Sequence, residues 1–389
     1  MEFLELNIKT YKVTYLLIFY KMKIKLVTTY PPTRCGVAEY SERLINSLKK
    51  VGIKPEIVDI KKPRSMNPFY FIGLAKEAAK DTSKRDIIQV QFHLSIFGRL
   101  FGIFPGFYIT VFLMWLRLFS KAKVVILMYD SSTKSNAKSL GIKGVLFFYY
   151  YRMLAPFLKY FSYRMIFHSE YGKKIALKEW KFNKDKIDII PFGIPSNMPK
   201  LNKKMCKNKL GYPTKKILLI LGYIKEGRNY EMILESLKKL DKNVVLLIAG
   251  EVQLKKHQVV YHNILKKVQE LKLNKRVKML GYVEEKDMPV LLNAVDIGII
   301  PYKKEFGDWY SATLSTQLAY NIPILATNIG TFENLKKQKR CIETYDRNNL
   351  TDLKEKIKSL LYDKSKINNL KTHSKIYLKE ANWDSVGKK

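Results

Sequence analysis

Residues 216–249 read KILLILGYIKEGRNYEMILESLKKLDKNVVLLIA. Lys216–Leu221 and Val244–Ala249 are nearly continuous apolar runs, as in strands that are buried on both faces of a parallel sheet. The segment between them, Tyr230–Leu240, repeats apolar residues at helical spacing. Because a helix that joins two parallel strands makes a βαβ unit, this stretch predicts an α/β fold.

The same alternation fills two successive blocks of the chain. In the first block the predicted strands are Lys23–Thr29, Glu56–Ile60, Asp86–Gln91, Lys123–Met128, Met165–His168 and Asp188–Ile190. In the second block they are Lys216–Leu221, Val244–Ala249, Val277–Leu280, Asp296–Ile300 and Pro323–Ala326, and a further helix is predicted at Ser311–Tyr320. The pattern predicts two Rossmann-like domains with parallel sheets that face each other across a ligand-binding cleft.

Composition sets the predicted domain boundaries. Residues 196–215 are polar, rich in Lys and without apolar periodicity, which predicts a linker. Residues 1–21 are predicted to be a dispensable extension or to precede the true start, because Met22 and the run after it have the pattern of a first strand. Glu2 and Glu5 stand where a signal peptide carries basic residues, so no signal peptide is predicted. The predicted segments are an extension at 1–21, a first domain at 22–195, a linker at 196–215, a second domain at 216–364 and a closing helix at 365–389.

The chain is strongly basic, with 71 Lys and Arg against 34 Asp and Glu and a formal charge of +37. Biased residue usage explains part of this excess, and an anionic partner explains the rest. No nucleic-acid reading motif accompanies the charge, so no nucleic-acid partner is predicted. The three cysteines, Cys35, Cys206 and Cys341, form no CxxC pair and no HExxH occurs, which favours a reducing cytoplasm and predicts no metal site.

Three segments have the composition of anion sites, although the G-x-G-x-x-G and P-loop signatures do not occur in the sequence. Gly36 precedes a predicted helix and lets backbone N–H groups approach an anion, but an ordinary strand-to-helix turn explains it as well. Lys225 and Arg228 lie near a helix N-terminus, where cations oppose the helix dipole unless a diphosphate or solvent compensates them. Ser311 is a predicted N-cap, and the first N–H groups of its helix form a second anion site.

Further candidates lie at the ends of predicted strands. His93 follows a strand and would face the cleft, and a structural histidine is an equal alternative. Tyr282 follows Gly281 and is either a nucleobase contact or a packing residue. His168 ends a strand and is predicted to be structural.

In their order and spacing these segments resemble the retaining glycosyltransferases of family 4, which have the GT-B architecture, over residues 22–387. The segments that carry the resemblance are Tyr30–Tyr40, like the first glycine loop of a subgroup with a Cys-Gly-Ile-Ala core, Gln89–Gly98, Ile190–Pro195, the basic turn Gly222–Asn229, the diphosphate helix Asp308–Asn321 and the closing crossover helix at Trp383.

The resemblance implies a retaining transfer of a hexose from a UDP- or GDP-linked sugar to an acceptor hydroxyl, with no metal and no cofactor. Lys225 and Arg228 stand at the family's basic pair and would clamp the diphosphate, mostly exposed in the empty cleft. His93 and Asp130 complete the candidate catalytic set. The candidate donor contacts are Gly36, Gly222, Tyr282 and Asp308, together with Ser311, Ala312, Thr313 and Leu314 as a cradle of N–H groups.

The sequence departs from the family pattern at several positions. Asp308 and Thr316 stand where many members have glutamates, and Tyr129 stands where a histidine is expected near the donor sugar. Ala312 replaces the glycine of the subgroup's Ser-Gly-Thr-Leu loop, and Cys35 stands where many members have glycine. The alternatives are therefore a catalytically silent GT-B protein that binds sugar nucleotides and a sugar-nucleotide epimerase.

The segment between Asp86 and Glu170 predicts contact with a membrane. It contains ten Lys and Arg, Asp130 as its only acidic residue, and 20 of the chain's 49 aromatic residues. Basic residues interleaved with large apolar ones predict a peripheral position on the anionic inner face of a membrane and a lipid-linked acceptor. Core packing is one alternative, and a true span is another, because the 17 residues Leu100–Leu116 carry no charge.

Overall fold

The computed structural model describes residues 22–33, 35–129, 131, 133–139, 141–252, 254–303 and 311–389. Within these ranges the chain forms two six-stranded parallel sheets, one in each half of the sequence. The predicted α/β class with two parallel sheets is confirmed. All eleven predicted strands are present, and most of their ends differ by one residue from the prediction.

The first sheet combines the strands of the first block. Its half of the chain contains β1 Ile24–Thr28, β2 Glu56–Asp59, β3 Ile87–Phe92, β4 Arg99–Leu100, β5 Phe104–Pro105, β6 Lys123–Met128, β7 Arg164–Phe167 and β8 Ile187–Ile189. The order across the sheet is β2-β1-β3-β6-β7-β8, and β4 and β5 form a separate antiparallel hairpin. The chain reverses its direction of travel across the sheet between β1 and β3, so ligands are expected at the carboxyl ends of these two strands.

Helices cover both faces of the first sheet. They are α1 Gly36–Lys50, α2 Pro68–Ala79, α3 Ile109–Phe119, α4 Lys134–Ser139, α5 Ile142–Phe161 and α6 Glu170–Glu179, followed by a 3-10 turn at Lys184–Lys186. Side chains of β1 alternate between the two apolar layers, since Leu26 packs with Tyr40 and Leu44 of α1 and Val27 packs on the opposite side. The apolar spacing that predicts α1 thus buries one face of this helix on the sheet.

The second sheet repeats the arrangement. Its strands are β9 Lys216–Leu221, β10 Val244–Ala249, β11 Val277–Gly281, β12 Ile297–Ile300, β13 Ile324–Thr327 and β14 Glu343–Tyr345, in the order β11-β10-β9-β12-β13-β14. Every residue of β10 is buried, as its continuous apolar run predicts. The sequence does not predict β14, which has only three residues and begins with Glu343. The switch point lies between β9 and β12.

The helices of the second half begin inside the predicted linker. They are α7 Lys203–Lys209, α8 Tyr230–Lys238, α9 Gln258–Glu270, α10 Met288–Ala294, α11 Ala312–Ala319, α12 Gly330–Lys339, α13 Leu350–Tyr362, α14 Lys364–Ala381 and α15 Trp383–Val386, with a 3-10 turn at Lys255–His257. Within the predicted linker at 196–215, residues Lys203–Lys209 form the short helix α7. Two of its four lysines share one carboxylate, because Lys203 and Lys207 lie 2.8 and 2.7 Å from that of Asp296.

The closing helices return to the first half of the chain. The Trp383 ring lies 5.1 Å from that of Tyr40, and the Trp383 carbonyl accepts a hydrogen bond from Ser47 Oγ. Asp384 pairs with Lys50 of α1 at 2.8 Å. The last helix therefore ties the second half of the chain to α1.

The uncharged run Leu100–Leu116 does not form one element. Its first part forms the hairpin β4–β5, and its second part belongs to α3, which buries Phe112, Leu113 and Leu116. In the described ranges, no helix is both long enough and apolar enough to pass through a bilayer. Part of the run is thus core, as one of the alternatives states, whereas Phe101, Ile103 and Phe104 are exposed.

Candidate functional site

The turn after β9 is built around Gly222. Gly222 has φ = +98°, a left-handed conformation that favours glycine, and its N–H donates to the Ala249 carbonyl at 2.8 Å. A Cβ atom at this position would lie 2.7 Å from Thr313 Cγ2 and 2.9 Å from Arg228 Nη2. The absence of a side chain therefore lets the turn, the Arg228 guanidinium and the start of α11 meet at one point.

Arg228 is buried beneath this turn, with 7% of its surface exposed. Its Nη1 donates to the carbonyls of Leu221 at 2.9 Å and Gly222 at 3.3 Å, and its guanidinium carbon lies 6.0 Å from the Tyr302 ring centroid. The expectation that Arg228 is mostly exposed is wrong. The carbonyls at the end of β9 and the Tyr302 ring keep the guanidinium buried. Arg228 therefore stabilises the structure of the turn and also gives it a positive charge.

Lys225 occupies the same turn and is half-buried. Burial lowers the pKa of its ammonium, and the positive charge of Arg228 lowers that pKa further. A bound anion would oppose both effects, because it compensates two neighbouring cations at once. The turn is therefore electrostatically prepared for a group such as a diphosphate.

The segment after β12 completes this cluster. Asn229 N donates to the Pro301 carbonyl at 2.6 Å, and Lys303 N donates to the Gly227 carbonyl at 2.7 Å. These bonds bring Lys303, which is exposed, beside the basic turn as a third cation. Lys303 is not among the site residues predicted from the sequence, although its place just after a strand at the switch point is a signal for it.

The N-terminus of α11 supplies the fourth part of the site. Ser311 is at the N-cap as predicted, but its side chain does not cap the helix; its hydroxyl lies 3.0 Å from Thr313 Oγ1 instead. The first N–H groups of a helix have no partner within it, so they can bind an anion here. Gln317 is buried against Gly298 of β12, where a Cβ would collide with it, and this contact seats α11 beside Gly222.

The other donor-side candidates are placed as follows. Ala312 is exposed at the first turn of α11, whereas Leu314 is buried in the core and its N–H donates to the Ser311 carbonyl at 2.9 Å, so Leu314 does not join the predicted cradle of N–H groups. Tyr282 is exposed after β11, and the preceding Gly281 carbonyl accepts from Gly250 N at 2.7 Å, which puts Tyr282 at the same edge of the sheet. Asp308 lies outside the described residues.

The first-domain candidates lie at the carboxyl edge of the first sheet. Cys35 is the N-cap of α1, and its Sγ accepts from Ala38 N at 3.4 Å. Described atoms leave open space around the position that a Cβ of Gly36 would take. His93 is half-buried, and its Nδ1 is engaged locally by Ser95 N at 3.1 Å and Ser95 Oγ at 2.7 Å. Asp130 falls outside the described residues.

Tyr129, at the position where the resembling family has a histidine, belongs to an aromatic cluster. Its hydroxyl donates to Gln91 Oε1 at 2.6 Å, and its ring lies 5.4 Å from that of Tyr40 and 5.7 Å from that of His168. Burial raises the pKa of Tyr129 and lowers the pKa of His168 to about 4. Both groups therefore stay neutral at neutral pH, which agrees with the structural role predicted for His168.

A cavity of about 460 Å³ lies beside the basic turn, between α8 and α9. It reaches Gly227, Arg228 and Lys303, but it is also lined by the carboxylates Glu226, Glu231 and Glu270. Lys266 and Lys267 line it as well, and Lys267 pairs with Glu231 at 3.2 Å, so the cavity carries charges of both signs. The strand edge at Gly222, where cations and helix N–H groups converge, is the better anion site.

The architecture defines the class of fold. Two parallel six-stranded sheets with a closing helix that returns to the first domain make the GT-B fold, and structures of that class share it. The HepE protein of Anabaena, solved in complex with UDP and glucose, has a TM-score of 0.70 at 13% identity, covering 94% of this chain and 97% of that one. A glycosyltransferase from Rickettsia africae has a TM-score of 0.70 at 16% identity, covering 95% of this chain and 97% of that one. Sucrose-phosphate synthase from Thermosynechococcus elongatus has a TM-score of 0.69 at 14% identity, covering 94% and 96%.

The second half of the chain also matches at the level of sequence. Residues 203–376 match the family model of the glycosyl transferases group 1. A mannosylfructose-phosphate synthase from Agrobacterium fabrum is 20% identical over 140 residues, which are 34% of this chain and 31% of that protein. The chain thus aligns with less than a third of the length of this curated relative. Together these findings show the GT-B fold for the chain and a likeness of its second half to the glycosyl transferases group 1.

Proposed function

We propose that the protein transfers a hexose from a nucleotide-diphosphate sugar to an acceptor hydroxyl. The observation that carries the proposal is the convergence of Lys225, Arg228 and the N-terminus of α11 at Gly222, on the switch point of the second sheet. Such a cluster suits two linked phosphates, because one phosphate can face the cations while the other faces the helix N–H groups. The Anabaena protein of the same fold is solved with UDP and with UDP-glucose, so UDP-glucose is the first donor to test.

The proposed step breaks the bond between the sugar's anomeric carbon and the diphosphate and forms a bond from that carbon to the acceptor oxygen. The nucleoside diphosphate leaves with the bonding electrons, and the acceptor proton passes to a leaving phosphate oxygen. The protein stabilises the negative charge that develops on this oxygen through Lys225, Arg228 and the first N–H groups of α11. We propose retention of the anomeric configuration and no metal or other cofactor, on the basis of the resemblance to family 4 and of these cations.

A catalytically silent sugar-nucleotide binder is the second candidate. Tyr129, at the expected histidine position, hydrogen-bonds to Gln91 within a buried cluster, and Thr316, at an expected glutamate position, bonds back to the Ala312 carbonyl at 3.1 Å. Neither side chain is arranged as an acid or base for the transferred sugar. This candidate predicts donor binding without turnover.

Two measurements separate the candidates. A thermal-shift panel with UDP-, GDP- and ADP-glucose should show stabilisation by at least one of them, and stabilisation by none would reject both candidates. A transfer and hydrolysis assay with the stabilising donor should then release nucleoside diphosphate. Release that is lost in Lys225→Met but kept in Lys238→Met, a change at the exposed far end of α8, supports the proposed transfer. Binding without release, with every acceptor class supplied, favours the silent binder.

A further inference from the structure

The outward surface of the first domain is unusually apolar around the hairpin β4–β5 and helix α5. We call this surface the apolar face; its exposed members are Phe101, Ile103 and Phe104 of the hairpin and Ile142, Leu146, Tyr149, Met153, Phe157 and Tyr160 of α5. Phe101 and Ile103 are 78% and 72% exposed, and Ile142 and Tyr160 at the ends of α5 are 80% and 81% exposed. Large side chains at this exposure cost free energy in water unless something covers them.

Helix α5 is apolar on two opposite sides. Six of its exposed large side chains follow one another at spacings of three and four residues from Ile142 to Tyr160, so they form one stripe along the helix, with the exposed Phe147 beside it. Tyr151, Leu154 and Leu158 form the buried side, in one apolar cluster with residues of the sheet. A helix that packs on a domain and faces water normally carries a polar outer side. The outer stripe of α5 therefore points to contact with an apolar medium.

The hairpin and α5 form one continuous surface. Tyr150 OH of α5 donates to the Pro105 carbonyl at 2.8 Å, and its ring lies 5.3 Å from that of Phe104. Helix α3 packs against α5 and has the exposed side chains Met114 and Leu118 of its own. The apolar face is thus a surface shared by several elements, and not the result of one isolated exposed side chain.

Exposed basic residues occur on the same elements as this face and on the segments next to them. Exposed basic side chains are Arg99, Arg117, Lys121, Lys138, Arg152 and Lys159, and none of them forms an ion pair with a described acidic group. Asp130 is the only acidic residue between Asp86 and Glu170. A second copy of the chain would bring these like charges together across a twofold contact, which opposes self-association. A nucleic acid would neutralise the basic side chains but leave the apolar stripe of α5 exposed to water.

An anionic lipid surface satisfies both features, since its headgroups neutralise the basic residues and its interface accepts aromatic and aliphatic side chains. We infer that the apolar face docks the protein on an anionic membrane, with the hairpin tip and the outer stripe of α5 in the lipid interface.

The location of this face relates docking to catalysis. The hairpin follows the carboxyl end of β3, and α5 begins after the carboxyl end of β6, so both start at the ligand-binding edge of the first sheet. Docking brings that edge close to the headgroups. The acceptor hydroxyl therefore belongs to a lipid-linked molecule. This assignment of the acceptor rests on the proposed transfer.

The test is flotation of the full chain with vesicles of phosphatidylcholine alone and of phosphatidylcholine with phosphatidylglycerol, at low and high ionic strength. The wild-type protein should float with the anionic vesicles at low salt and detach as salt rises. Phe101→Ser with Ile103→Ser should lower the vesicle partition coefficient by about tenfold or more, because two large apolar side chains no longer enter the interface. Ile142→Ser with Leu146→Ser should do the same.

The matched control is Val259→Ser with Ile376→Ser, two side chains that are each 60% exposed in the second half of the chain. This variant should float as the wild type does.

Vesicle binding that is unchanged in both face variants, or no flotation of the wild type at low salt, overturns the inference. A wild-type dimer in sedimentation equilibrium that the face variants dissociate would assign the face to a second copy. UDP-glucose stabilisation of the same variants is measured separately, so docking without donor binding rejects only the proposed function.

Discussion

Removing the charge of Lys225 while keeping its length separates donor binding from folding. In Lys225→Met we expect the affinity for UDP-glucose to fall by about 1.5–3 kcal/mol, or about 10- to 150-fold, the range for hydrogen bonds to charged groups. The same protein should unfold at the wild-type temperature or above it. Burial and the charge of Arg228 both disfavour the ammonium in the unliganded protein, as the lowered pKa of Lys225 indicates.

Arg228 gives the contrasting result, because its guanidinium also bonds to the fold. In Arg228→Met the carbonyls of Leu221 and Gly222 lose their side-chain donor. We therefore expect a loss of about 1–3 kcal/mol in the free energy of unfolding in addition to weaker donor binding. The two variants thus differ in stability while they agree in the direction of the affinity change.

Titration calorimetry with UDP-glucose and thermal unfolding without it measure the two effects. Lys238→Met, at the exposed C-terminal end of α8, removes one positive charge from the helix that follows the basic turn and should change neither quantity. Wild-type affinity in Lys225→Met would refute the diphosphate assignment. Destabilisation of Lys225→Met equal to that of Arg228→Met would refute the reasoning from burial and charge.

Three further outcomes follow from the described contacts. Gly222→Ala should destabilise the protein by about 1–3 kcal/mol more than Gly211→Ala in thermal unfolding, because both have positive φ but only Gly222 would meet Thr313 and Arg228; equal losses would contradict the packing argument. Burial lowers the pKa of His168 to about 4 in the folded protein, against about 6.5 when unfolded, so the unfolded state binds more protons between these values and stability falls as the pH falls through this window. Between pH 7 and pH 5 this amounts to about 2 kcal/mol, which chemical denaturation should show as a difference between the wild type and His168→Gln; an identical pH dependence in both proteins would reject it. A chain that begins at Met22 should unfold cooperatively and bind UDP-glucose as the full chain does, since β1 begins at Ile24; loss of either property would show that residues 1–21 are needed.

The sequence predicts strands and helices well in this chain because their signals are local. Continuous apolar runs such as β9 and β10 are recognisable without knowledge of their neighbours, since burial on both faces leaves no room for polar residues. The elements that the sequence does not predict are short or have a misleading composition. Strand β14 has three residues, and α7 is a Lys-rich helix in which two of the four lysines pair with Asp296 of a distant segment.

By itself, the sequence determined the two-sheet fold, the basic turn after β9 and the aromatic, acid-poor composition of the first domain. Only the tertiary structure decided how these features are used. It buries Arg228 under the carbonyls of β9 and the Tyr302 ring, sets α11 against Gly222, and turns one stripe of α5 outward. The physical reason is that periodicity identifies an apolar side of an element, whereas contacts between segments far apart in the chain decide which side is covered and which charge is compensated.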